Sequence, residues 1–243
     1  MYEHVYIVGH AKPEPQDPNF QLDFIDGFKL PEGYLEYFQE LGRGEFCNWV
    51  NVFTQQELTE RYQFWLSLLK GKPWWDENIF SKEAAKNSIL LAESGEGSML
   101  IFHPMTETFY FSDRGSLQVH STQGNLLDAL RLYMLPDTDE PIKLPYFTPE
   151  SYLSPVFTYC IDPDEISYEE LEQAILDFGI HSDVSCDDYT SRFTAPDLLG
   201  IIELDDTGCE IVVNLCSDKK ANPTLLDTII RNFEAMGLSD YYA

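Results

Sequence analysis

Apolar residues recur along this chain with two spacings, one suited to helices and one to strands. Tyr34, Phe38 and Leu41 stand at i, i+4 and i+7 behind Pro31, which predicts a helix opened by the proline at its first position and stopped by Gly42 and Gly44. Thr54-Gln55-Gln56-Glu57 has the form of a capping box, and Leu58, Tyr62, Trp65, Leu66 and Leu69 supply the apolar stripe of the helix behind it. Four short strands are expected next: Ile89 to Ala92, Met99 to His103, Thr108 to Phe111 and Leu117 to His120. Turn-forming residues separate them, so they read as a meander. Leu126, Leu127, Leu130, Tyr133 and Met134 close this part with an amphipathic helix.

Prolines 136, 141, 145, 149 and 155 then crowd a stretch that regular structure is not expected to absorb, which places a linker over residues 141–155 between domains 1–140 and 156–243. Beyond it the pattern gives a strand (Val156 to Ile161), a helix, a strand (Ile180 to Cys186), a hairpin and a last helix. Ser167-Tyr168-Glu169-Glu170 is a second capping box, heading a helix that buries Leu171, Ile175 and Phe178 before Gly179. The hairpin joins Leu199 to Leu204 with Ile211 to Cys216 through an Asp-rich turn, and Leu226, Ile229, Ile230 and Phe233 share one face of the final helix, ended by Gly237. Both parts are therefore α+β. The alternation of elements in the second suggests a ferredoxin-like arrangement.

Charge changes the picture more than any motif. The 243 residues hold 15 Lys and Arg against 42 Asp and Glu, a net −27 with pI near 4.2. Residues 1–143 carry 11 basic and 22 acidic groups and residues 144–243 carry 4 and 20. Binding to phosphate backbones draws on basic side chains that displace counterions, so nucleic acid and anionic membrane are disfavoured and a cationic partner is favoured. A plain solubility role for the acidic surface is the competing explanation. The opening Met1-Tyr2-Glu3-His4-Val5-Tyr6-Ile7-Val8 lacks the basic region and long apolar run of a signal peptide. Five cysteines, 47, 160, 186, 209 and 216, contain no C-x-x-C pair, which argues for reduced core thiols in a cytoplasmic protein and against a zinc site.

Fingerprints of catalysis are missing from the sequence: no phosphate loop, dinucleotide-binding glycine motif, nucleophile elbow or H-E-x-x-H. No metal and no cofactor is expected. His103 and His120 end neighbouring predicted strands and could meet in space, although a polar strand end explains each. Paired carboxylates at Asp76-Glu77, Asp187-Asp188 and Asp205-Asp206 could in principle serve a glycosidase-type hydrolase, but a chain this acidic produces such pairs by chance, and the last is read as part of a turn. Trp74-Trp75-Asp76-Glu77 stands out. Two adjacent indoles cannot both point inward from one regular face, so the segment reads either as an interface anchor with a cation-seeking rim or as a satellite core under a loop. Candidate partner-binding residues are accordingly Trp74, Trp75, Asp76 and Glu77, with Asp187, Asp188 and Tyr189 expected on a surface loop of the second domain.

Over about the first 135 residues the chain resembles the SUKH superfamily of bacterial immunity proteins and cell-wall-synthesis regulators. The resemblance rests on Leu30-Pro31-Glu32-Gly33-Tyr34-Leu35-Glu36-Tyr37-Phe38, on the glycine turn Gly42-Arg43-Gly44, and on Ile89-Leu90-Leu91-Ala92-Glu93, Ser98-Met99-Leu100-Ile101-Phe102 and Phe109-Tyr110-Phe111 before the closing helix. Where the family commonly has Asn-Gly after its first helix, this chain has Leu41-Gly42-Arg43-Gly44. The resemblance implies an antiparallel sheet with packed helices. It also implies a non-enzymatic intracellular protein that binds and neutralises a cognate toxin domain, or alternatively a regulatory scaffold. It does not extend to residues 144–243.

Overall fold

A computed structural model describes residues 1–25, 27–47, 49–71, 75–95, 97–112, 118–134, 145–150, 154–161, 166–178, 181–187, 190–195, 198–206, 211–217 and 221–238. The protein is mixed α+β and divides into two compact units. One comprises residues 1–3 and 11–142, the other residues 4–10 and 143–243.

In the first unit, α1 (Tyr34–Glu40) buries Tyr34, Tyr37 and Phe38. It begins three residues later than the proline position suggests. Gly33 is its N-cap with φ 87°, a left-handed conformation favoured by glycine, and Pro31 lies in the preceding turn, its carbonyl accepting from the Tyr34 N–H. The stop is as expected: Gly42 has φ 82° and bridges to Lys12. Two three-residue strands follow, β2 (Gly44–Phe46) and β3 (Val50–Val52), then α2 (Gln55–Leu68). The reciprocal Thr54–Glu57 capping box is formed, with the Thr54 N–H donating to Glu57 Oε2 at 2.8 Å. After the short α3 (Lys82–Lys86) come β4 (Ile89–Ser94), β5 (Met99–His103), β6 (Thr108–Ser112), β7 (Val119–Gln123) and α4 (Leu126–Met134).

Strands β2 to β7 pair in sequence order, each antiparallel to the next. Ile89, Leu90, Leu91 and Ala92 are all buried, so β4 has a continuous apolar run because both of its faces are covered. Stacking on β6, two strands away, shows what lies on each face of the sheet. Phe111 packs on Tyr133 of α4, while Tyr110, its neighbour pointing the other way, packs on Phe80, which leads to Trp75 and then Trp65 of α2.

The second unit opens with β1 (Tyr6–Ile7), paired in parallel with β8 (Tyr146–Pro149) through Tyr6↔Tyr146 and Ile7↔Phe147. Part of the expected linker is thus a strand: Pro145 precedes the paired residues Tyr146 and Phe147, and Pro149 ends the strand. Then follow β9 (Ser154–Ile161), α5 (Tyr168–Asp177), β10 (His181–Asp187), β11 (Thr190–Ala195), β12 (Gly200–Asp206), β13 (Ile211–Ser217) and α6 (Pro223–Ala235). The sheet runs β10-β11-β12-β13-β9, antiparallel throughout. A ferredoxin-like fold is not formed, because that fold interposes two crossover helices between its strands and here only α5 lies between strands. Leu171 and Ile175 of α5 and Ile229 and Phe233 of α6 join Tyr159, Ile202, Leu204, Val213 and Leu215 in one core. The Ser167–Glu170 capping box is formed, and Asn222 caps α6 with Pro223 at its start.

Candidate functional site

The candidate residues of the first unit lie in the turn between α2 and α3. Trp75 is 4% exposed. Its ring stacks on Trp65 at 5.9 Å and its Nε1–H donates to the Phe80 carbonyl at 2.7 Å, so the indole is satisfied on both its apolar and polar sides. It is a buried side chain of the satellite core and not the exposed anchor of the alternative reading. Trp65 meets α3 through its own Nε1–H, donated to the Ala85 carbonyl at 2.8 Å. Trp74 lies outside the described residues. Asp76 and Glu77 are exposed. Asp76 Oδ1 accepts from the Asn78 N–H at 2.9 Å and from Asn78 Nδ2 at 2.8 Å, which makes it the organiser of an Asx turn that returns the chain to Phe80.

In the second unit, Asp187 is the last residue of β10 and pairs with Thr190 across the ladder; Asp188 and Tyr189 lie outside the described residues. The strand β11 that follows them was not expected from the sequence.

Register decides the two catalytic arrangements. His103 is opposite Thr108, and His120 is opposite Phe111, which faces Leu100. Cross-strand partners point to one side and successive residues alternate, so the three-residue offset between Leu100 and His103 puts the two imidazoles on opposite faces of the sheet. They do not meet. His103 is held locally instead: its Nδ1 accepts from the Thr106 N–H at 3.3 Å, and burial pushes its pKa below the ordinary value. Asp205 and Asp206, expected in a turn, are the last two residues of β12, opposite Val212 and Ile211. Adjacent on a strand, they diverge to opposite faces and cannot share a proton or a substrate. Among the described residues no three His, Cys, Asp or Glu side chains are grouped as a metal site requires, and Cys47, Cys160 and Cys216 are not in disulfides.

Three cations of the first unit are held in ion pairs. Arg43 forms a two-point contact with Glu14 at 2.7 and 3.2 Å and lies 3.7 Å from Glu57; Arg61 pairs with Glu93 while stacking over the Phe53 ring; Lys86 pairs with Glu83. Each such pair cancels one positive charge, and the acidic surplus is left to set the long-range field.

Phe24 and Met105 are exposed, a feature without a signal in the sequence because neither belongs to a periodic apolar stripe. Among the described helices none is long and apolar enough to cross a membrane. No family model, curated protein or solved structure matches this chain.

Proposed function

We propose that this protein is a non-enzymatic binder: an immunity protein of SUKH type, acting in the cytoplasm, that occludes the active cleft of a cognate bacterial toxin with a basic surface, such as a nuclease. The observation that carries the reading is the net charge of −27, in which only 15 Lys and Arg oppose 42 Asp and Glu, with Arg43, Arg61 and Lys86 each already paired to a carboxylate. A basic cleft built for phosphates attracts such a molecule from a distance, and complementary fields accelerate encounter while buried anchors set the lifetime. The resemblance of residues 30–38 and of the strand segments from Ile89 to Phe111 supports the same reading. So does the geometry of the polar residues, since His103 and His120 diverge, as do Asp205 and Asp206.

The test is to purify the tagged protein from its own cells, identify what accompanies it, and measure association at rising ionic strength. The association rate is expected to fall at least tenfold between 0.05 and 0.5 M salt, because the screening length shrinks from about 14 Å to about 4 Å. A rate indifferent to salt, or turnover of a small molecule by the purified chain, overturns the proposal.

A further inference from the structure

Phe24 is 41% exposed and Met105 64% exposed, and several contacts place them together. The Phe24 ring lies flat on Tyr62 of α2, with centroids 3.9 Å apart and planes within 9°. The Tyr62 hydroxyl donates to the carbonyl of Lys86, three residues ahead of β4. Ile89, the first residue of β4, pairs with Phe102, beside the His103–Thr108 pair that closes the β5–β6 hairpin. Met105 sits in that hairpin's loop. It also reaches the segment carrying Phe24, because its sulfur lies 3.3 Å from where a Cβ on Gly27 would stand. Phe24, Tyr62 and Met105 therefore occupy one end of the sheet of the first unit.

The chemistry of this patch is specific. Stacking on Tyr62 holds the Phe24 ring in place, leaving the face turned away from Tyr62 as the exposed one, so little ordering is required when a partner arrives. Exposed carboxylates flank both apolar residues: Asp23 precedes Phe24, and Glu107 follows Met105 by two positions. The nearby Lys86 is engaged by Glu83. A fixed aromatic face, a pliable thioether and two free carboxylates match a guanidinium on an alkyl stem: the cation stacks on the ring, the stem packs on the sulfur and the N–H groups meet carboxylate.

We propose that Phe24, Met105, Asp23 and Glu107 form a docking surface for an arginine on the basic face of a partner protein. The inference rests on the binder reading above and gives it a location.

The experiment follows the methyl resonances of the full chain, labelled at its five methionines, during titration with a hexa-arginine peptide at 0.15 M salt. The Met105 methyl is expected to shift saturably while Met99 and Met236 stay in place, and hexaglutamate is expected to move none of them. Phe24→Ala should weaken the Met105 response at least threefold. The double change Asp23→Lys, Glu107→Lys, which leaves the aromatic stack intact, should do the same. Shifts spread over the other methyls with Met105 still, or equal affinity in both variants, overturn the surface. A natural partner captured by the wild type with salt-dependent kinetics, and bound equally by both variants, also removes this surface while leaving the binder reading standing. A Met105 response that obeys the pattern in a protein with no basic partner keeps the surface and removes the immunity role.

Discussion

Around the six-stranded run of the first unit the large, fully buried side chains are aromatic: Tyr34, Tyr37, Phe38, Phe46, Trp65, Phe80, Phe102 and Phe109. In the second unit Ile161, Leu171, Ile175, Ile202, Leu204, Val213, Leu215 and Ile229 predominate, with Tyr159, Phe193 and Phe233 among them. The contrast follows strand length. Strands β2 and β3 have three residues each, too few for a strong ladder, whereas β9, β10, β12 and β13 have seven or eight. Where ladders are short, polar tips on the aromatic rings tie irregular backbone to the core. Tyr2 donates to the Gly33 carbonyl, Tyr34 to Phe53, Trp65 to Ala85 and Trp75 to Phe80. The second unit relies on register and aliphatic packing instead.

Alkali should break this parallel most severely. Burial pushes the phenols of Tyr2, Tyr34 and Tyr37 far above their usual value, with neighbouring acidic groups adding to the effect at Tyr2 and Tyr34. A raised folded-state value means that the stability is fully present below the unfolded value near 10 and drains away as pH rises past it. The first unit is thus expected to unfold above about pH 10, with the ring Cζ resonances of Tyr2, Tyr34 and Tyr37, resolved by NMR from those of the other tyrosines, shifting to the tyrosinate position only as tryptophan fluorescence reports unfolding. Ionisation of these three resonances well before the fluorescence changes would show that these phenols are not sealed.

Next in size, Trp65→Ala removes the ring that Trp75 stacks on and should cost about 3–5 kcal/mol in denaturant unfolding. Gly42→Ala follows. Its Cβ would lie 1.9 Å from the Lys12 carbonyl oxygen at a backbone angle of φ 82°, so a loss of about 2 kcal/mol is expected; a neutral result would mean that the Lys12 segment moves freely. The smallest effects come from a matched pair. Thr54→Ala and Ser167→Ala each remove a capping-box side chain and should each cost about 1 kcal/mol. All four tryptophans, 49, 65, 74 and 75, belong to the first unit. Fluorescence should therefore register the Thr54 change, and circular dichroism both. Equal fluorescence shifts from the two would show that the units unfold as one.

What could be read from the chain was what is decided locally. Both capping boxes depend on residues three apart, and both formed. Met99–His103 is a strand with the expected limits because it is apolar and bounded by turns on each side. Strands β2, β3 and β8 were missed because three or four residues give periodicity nothing to register. In β11, Phe193 is the one large apolar residue in Thr190-Ser191-Arg192-Phe193-Thr194-Ala195, which becomes a strand by pairing with β10 and β12. The fate of Trp75 depended on Trp65, ten positions earlier, and on Phe80, so residue type alone left anchor and core both open and the fold made it a core side chain. The Phe24–Met105 patch unites segments 81 positions apart, a distance no local pattern spans.

The pairing of β1 with β8 has a consequence for biosynthesis and for dissecting the protein. Tyr6 and its partner Tyr146 are separated by 140 positions, so at about 5–20 residues per second a ribosome needs roughly 7–28 s to deliver the second after the first. Residues 11–142 can collapse during that delay, while the earliest strand waits for its mate. A fragment cut at the proline-rich stretch, though it looks like a clean boundary on paper, would leave β8 with an empty edge; supplying residues 4–10 as a peptide should restore its order.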